Sequence, residues 1–205
     1  MKRFLTTLCA ATIAATAAMT AAPAPAEAGV FSKFMQGGQE RVNPVKRVAV
    51  RNSNASPIPR ETVRFDEPAS AGTIIVETSE RRLYYVLGNG LAIKYAIGVA
   101  RPGFEWAGTN RISRKAEWPD WRPPAEMIAR EARKGRKLPA FMAGGPNNPL
   151  GARAMYLGST IYRIHGTNQP WTIDKNMSSG CIRMANDDVT HLYQQAKIGA
   201  KVIVR

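Results

Sequence analysis

From Gly72 onward the chain is cut into short runs rich in β-branched and aromatic residues: GTIIVET, RRLYYVLGNG, LAIKYAIGVA, TIYRIHG and AKVIVR. Each is too short for a stable isolated helix and is bounded by turn-forming residues, so each reads as a strand. Gly88-Asn89-Gly90 lies between the second and third runs and signals a hairpin, because tight β-turns need left-handed positions that Asn and Gly tolerate. GTNRISRKAEWPDWRPP continues as a strand running into a Trp/Pro loop, and MAGGPNNPLGARAMYLG as a Gly/Pro/Asn loop feeding another. Only two segments carry helical signals. PPAEMIAREARKG opens on proline and stops at Gly135. NDDVTHLYQQAKIG sets Val189, Leu192, Tyr193 and Ala196 at helical spacing, with Asn186 or Asp187 as N-cap and Gly199 as C-cap. The expectation is a mainly β domain over residues 71–205 with two short helices.

Upstream, the character changes. Residues 1–28 read as an export signal: Lys2 and Arg3 give the charged start, Phe4 to Ala22 a weakly apolar stretch, and Ala26-Glu27-Ala28 a small-x-small cleavage site. An uncleaved anchor is the alternative, but Ala and Thr make a poor span beside Leu and Ile. Cys9 sits too early for a lipoprotein cysteine, and no later segment is apolar for long enough to cross a bilayer. Residues 29–70 mix Gly, Pro, Ser and Asn with scattered basic side chains. Apart from a short possible strand at Glu61 to Phe65, they read as a flexible basic arm. With 29 Lys and Arg against 15 Asp and Glu, the formal charge is +14. Loss of the signal leaves about +13, which implies attraction to a polyanion. An exported chain without a nucleic-acid motif points away from nucleic acid and towards the anionic polymers of a bacterial envelope. Plain solubility is the simpler account of the same charge.

Once such a signal is removed, Cys181 is the sole cysteine. An unpaired thiol in an oxidising compartment is a liability unless shielded or used. It can be buried and inert, bridge to another molecule, or act as a nucleophile, and its neighbours favour the last. Gly180 allows tight curvature, and the N–H groups of Gly180 and Cys181 can converge as an oxyanion hole. Ser178 and Ser179 are small and polar. In YRIHG the apolar alternation ends at His165, which sets an imidazole at a strand's mouth. A histidine within hydrogen-bond reach of the thiol would keep the sulfur ionised and later return the proton to a leaving amine. Other chemistries fail on inventory. Two histidines and one mature cysteine make no zinc site, and AGGPNNPLG lacks the Gly-Lys-Ser/Thr of a phosphate loop. No spacing singles out a glycosidase pair among Glu105, Glu117, Asp120 and Glu126. His191, beside Leu192 on a helix, reads as a bystander on a solvated face.

The combination IHGT, a variable stretch and SSGCIRM, with the later N and D, resembles the signature of the L,D-transpeptidase (YkuD-type, ErfK/YbiS-like) catalytic domain family. The similarity runs over roughly Gly72 to Arg205, including the hairpin and the terminal GAKVIV. It implies a β-sandwich or barrel-like domain behind the arm, with Cys181 as nucleophile and His165 as general base and acid. The Gly166 carbonyl would orient the ring, and Arg183 would face a carboxylate of the donor peptide, as guanidinium groups do well. A structural salt bridge is the plainer role for Arg183. Thr167 and Asn168 would line the site, and Gly180 and Ser179 would shape it. One departure is Ser179, where many members carry a second histidine. The resemblance implies acylation of Cys181 by a peptidoglycan tetrapeptide stem at the L-centre of a diaminopimelate-type residue, with loss of D-Ala. The acyl group would pass to the amine of another stem or of an envelope protein, without metal or cofactor. Hydrolysis of the same thioester, or a non-catalytic wall-binding module, are the alternatives. Trp106, Trp118 and Trp121 are candidates for a cleft wall or lid, or for aromatic plugs in a small core.

Overall fold

The computed structural model describes residues 54–205. The export signal and the arm's first part, up to residue 53, lie outside the described residues. The strands are β1 (Glu61–Arg64), β2 (Ile74–Glu77), β3 (Arg82–Gly88), β4 (Leu91–Ala96), β5 (Val99–Ala100), β6 (Gly108–Glu117), β7 (Arg153–Leu157), β8 (Arg163–His165), β9 (Asn176–Ser178), β10 (Ile182–Arg183) and β11 (Lys201–Val204). The helices are α1 (Ala125–Ala132) and α2 (Asn186–Gln195). The domain is mainly β with two helices, as its short runs imply. Asn89 and Gly90 both have positive φ, 53° and 70°, which gives the β3–β4 hairpin the tight turn its sequence calls for.

Nine strands follow the order β1-β4-β3-β2-β11-β6-β7-β8-β10, and β5 pairs separately with β9. The long β6 joins the two halves: Gly108–Arg111 pair with β11, and Ile112–Glu117 pair with β7. A register shift between Ile112 and Arg114 bends the strand there, as bulges do. Ile74, Leu83, Ile112, Met155, Ile164, Ile182 and Val202 from both halves form one core with Val189 and Leu192 of α2. Burial of that apolar face is the main stabilising term.

Three features depart from the sequence reading. Residues 54–70, assigned to the arm, are laid on the domain. β1 pairs with β4, the Phe65 ring lies 5.3 Å from that of Tyr84, and Arg60 pairs with buried Asp188 at 2.9 Å. Second, α2 begins after Ala185 with no side-chain cap, since the Asn186 amide is engaged elsewhere, and it ends at Gln195, short of Gly199. Third, His191 is no solvated bystander. It is half-buried, with Nδ1 2.8 Å from the hydroxyl of fully buried Tyr95.

Candidate active site

Strand periodicity assembles the site. β8 and β10 run parallel with Ile164 opposite Ile182 and His165 opposite Arg183. Ile164 and Ile182 point into the core, at 0% and 2% exposure. Side chains alternate along a strand, so Arg163, His165, Cys181 and Arg183 share the other face. All four line one cleft of about 450 Å³, whose opposite wall comes from α1 and the loop through Met142 and Pro149. Cys181 and His165 hold diagonal corners of this square, about 8 Å apart at Cα from strand spacing and rise.

His165 is 6% exposed, and its Nδ1 lies 2.6 Å from the Gly166 carbonyl oxygen. A carbonyl only accepts, so Nδ1 carries the proton and Nε2 keeps its lone pair. Burial first, then the charges of Arg183 and Arg163, push the imidazole down to about 3. Cys181 is half-buried. Its Sγ contacts the Ile161 carbonyl at 4.0 Å and the Arg163 backbone amide. Burial raises the thiol above its ordinary value, while Arg163 and Arg183 pull it back in part. The hydrogen bonds of both side chains thus run to backbone rather than to each other. Both shifts favour a neutral thiol beside a neutral imidazole, not the ionised sulfur expected from the sequence.

The loop before the cysteine is braced from behind. Gly180 has φ +108°, and a Cβ there would lie 2.4 Å from Tyr162 Cε1. The space beside Gly180 therefore holds Tyr162 rather than substrate. Trp106 stacks on Tyr162 at 4.4 Å and donates its indole N–H to the Gly180 carbonyl at 2.7 Å. Ser178 Oγ accepts from the Gly180 N–H at 3.2 Å and donates to the Cys181 carbonyl at 2.6 Å. The Gly180 N–H is therefore engaged inside the loop, which leaves that of Cys181 from the expected pair of oxyanion donors.

A model of the L,D-transpeptidase catalytic domain family (YkuD) matches residues 71–204. This chain belongs to that family. The probable L,D-transpeptidase ErfK/SrfK of Escherichia coli (strain K12) is 38% identical over 134 residues, 63% of this chain and 42% of that relative. The chain thus spans under half the length of such L,D-transpeptidase relatives. A solved L,D-transpeptidase from Mycobacterium smegmatis covers 65% of this chain and 58% of its own at a TM-score of 0.51 and 16% identity, which shows a common fold. A solved Brucella melitensis chain described as a probable carnitine operon oxidoreductase is 44% identical, covering 75% of this chain and 97% of that one, with a TM-score of 0.49. Its description differs in class from the L,D-transpeptidase names.

Within this L,D-transpeptidase domain the remaining expected residues divide. Ser179 and Asn168 line the cleft; Ser179 Oγ accepts from Arg130 Nη2 at 3.2 Å, and Asn168 donates to the Asn147 carbonyl at 2.9 Å. Thr167 does not line it. It is 1% exposed, and its hydroxyl accepts from Arg183 Nη2 at 3.1 Å, as does that of Thr172 at 2.6 Å. Arg183 is therefore aimed by two threonines and forms none of the ion pairs found among the described residues. Trp121 lines the cleft, Trp106 braces the cysteine loop, and Trp118 is 42% exposed outside it. Sequence reasoning missed Arg101, Arg130 and Arg163, which also line the cleft. For Arg163 the signal was present, since it alternates with Ile164 in YRIHG. It also missed Asn186, whose Oδ1 accepts from Ala152 N–H at 2.9 Å and Thr167 N–H at 3.2 Å. That amide fixes the two loops around Gly166. Among the described residues no group of His, Cys, Asp and Glu could hold a metal ion, and no helix is long and apolar enough to cross a membrane.

Proposed function

We propose that this chain is a cysteine L,D-transpeptidase acting on peptidoglycan tetrapeptide stems outside the cytoplasm. The observation that carries the reading is the square of Arg163, His165, Cys181 and Arg183 on one face of β8 and β10, open to a cleft. A thiol, a base with a fixed tautomer and a guanidinium for a carboxylate are the parts that acyl transfer from a peptide requires. His165 Nε2 takes the thiol proton as Sγ attacks the carbonyl at the L-centre of the third stem residue. Because both groups are neutral at rest, proton removal and attack proceed together, and no buried thiolate need persist. The Cys181 N–H is the donor we assign to the oxyanion. On collapse, the C–N bond to D-Ala breaks and its nitrogen takes the proton from the imidazolium, leaving a thioester. An acceptor amine then attacks the thioester and gives its proton to His165, and the C–S bond breaks as Sγ takes that proton back from the imidazolium. That amine belongs to another stem or to an envelope protein.

The whole-chain reading keeps residues 1–28 as the export signal and 71–205 as the catalytic domain. The basic arm, with Lys33, Arg41, Lys46, Arg47 and Arg51 against Glu40, is read as attracting anionic envelope polymers. The decisive experiment is intact-protein mass after incubation with a tetrapeptide muropeptide. The expected result is an acyl adduct of the stem less D-Ala, absent in Cys181→Ala. A folded wild-type protein that forms no adduct at neutral pH removes the enzyme reading. Product masses then separate cross-linked dimers, protein conjugates and simple D-Ala release.

A further inference from the structure

The cleft is more basic than one donor carboxylate calls for. Arg101, Arg130, Arg163 and Arg183 line it, and the one acid among its lining residues is Glu131. Glu131 is already engaged, accepting from Arg136 Nε at 2.6 Å with Lys134 Nζ at 3.5 Å. Its oxygen lies 3.6 Å from Arg130 Nε, too far for a hydrogen bond. Arg183 is aimed from β10 by Thr167 and Thr172. Arg101 and Arg130 stand elsewhere, over the Phe104 ring, with Cζ atoms 4.2 and 5.3 Å from its centroid. Both are tied to the nucleophile loop: the Arg101 backbone N–H donates to the Ser178 carbonyl at 3.1 Å, and Arg130 Nη2 donates to Ser179 Oγ.

Stacking on an aromatic ring uses the flat face of a guanidinium and leaves its in-plane N–H groups to find acceptors. Here two of them find none. Arg101 Nη2 and Arg130 Nε are buried without a hydrogen-bond partner among the described residues. Buried donors of this kind are normally satisfied, and two cations over one ring in the same cleft, each with an unsatisfied donor, match a carboxylate. We propose that Arg101 and Arg130 form a second carboxylate subsite beside the nucleophile, separate from Arg183, so that the site selects donors with two free carboxylates near the acylated residue. The identity of the donor rests on the acyl-transfer reading above; the subsite is tested without it.

Calorimetric titration of Cys181→Ala protein with a synthetic tetrapeptide stem reads the subsite in the absence of chemistry. The titration is repeated with stems bearing a single amide at each carboxyl in turn. Amidation at one position is expected to raise Kd about tenfold. With Arg101→Gln and Arg130→Gln added, the unmodified stem should bind about tenfold more weakly, and that same amide should change Kd less than twofold. Amidation of the carboxyl that Arg183 meets should still weaken binding in this variant. Equal losses on amidation with and without the two arginines overturn the subsite, as does a parent protein that binds none of the stems. Each single variant, checked for an unchanged Tm, separates lost recognition from lost folding. A wild type that forms no adduct sinks the acyl-transfer reading, whereas the titration alone decides the subsite.

Discussion

His165 shows how a residue can be built for one protonation state. Its ring is buried beside two guanidinium groups, and one nitrogen is spent on the Gly166 carbonyl. Those surroundings hold the imidazole near 3, against 6.5 for an unperturbed ring. A histidine whose folded value is depressed binds fewer protons folded than unfolded between those two values. Its contribution to stability is therefore present above about pH 6.5 and is lost as pH falls towards 3, by at most about 1.4 kcal/mol per pH unit. Thermal melts of wild type and His165→Gln between pH 7.5 and 4.5 test this. The wild-type Tm should fall more steeply, and parallel slopes would show that the ring titrates normally. The same burial predicts a kinetic signature. Acylation of Cys181 should show no acid limb from His165 between pH 5 and 7, and should rise with pH as the raised thiol begins to ionise.

Among the elements, those that position Cys181 and His165 are short, and they hold position through their neighbours. β10 has two residues and β8 three; β10 is fixed by β8 on one edge and by Gly98 on the other. The runs that became β2, β3, β4 and β11 were legible because each carries its own apolar pattern and turn residues. Alternation about Ile164 and Ile182 turns His165 and Cys181 to one side, and the first of these patterns was legible in YRIHG. β9 and β10 left no local trace, and β5 was not separated from β4 within LAIKYAIGVA, because strands of two or three residues exist only through pairing with distant segments. Asn186 was misread for a related reason. Asn before a helical run is ordinarily a cap, yet here the chain folds Gly151–Ala152 and Gly166–Thr167 against its amide. Asn186→Ala leaves two buried N–H groups without their acceptor, a loss of about 2 kcal/mol or more. It also frees the loop whose carbonyl aims His165. The expected outcome is a lower Tm together with slower acylation at saturating stem. A variant with lowered Tm and unchanged acylation rate would show that the Gly166 loop holds itself.

At the scale of the molecule, the folded domain begins before the family's own boundary. The family model starts at residue 71, but residues 54–70 add β1 to the sheet edge, where Glu61 meets Lys94 at 3.2 Å, and bring two further ion pairs to the domain. Arg60 meets Asp188 at 2.9 Å, and Arg205 bonds Glu67 through Nη1 at 3.0 Å. The first pair matters more, because Asp188 is 3% exposed and Arg60 39%. Burial already raises the Asp188 carboxyl, with Arg60 opposing. A chain beginning at Ala71 would leave that carboxylate buried and unpaired. The cost is about 3 kcal/mol, the lower end for a broken buried pair because Arg60 is partly screened by solvent. For a domain of this size that is a fall in Tm of about 10 °C relative to a chain beginning at Asn54. A carboxyl raised in the folded state escapes the penalty by taking a proton, so the deficit should be full at pH 7.5 and shrink as pH falls towards 4.5. None of residues 54–70 lines the cleft, so both chains should form the Cys181 adduct at equal rates well below their melting points. Melts at the two pH values decide the matter. A truncated chain as stable as the longer one at pH 7.5, or one whose deficit grows on acidification, would return this segment to the arm.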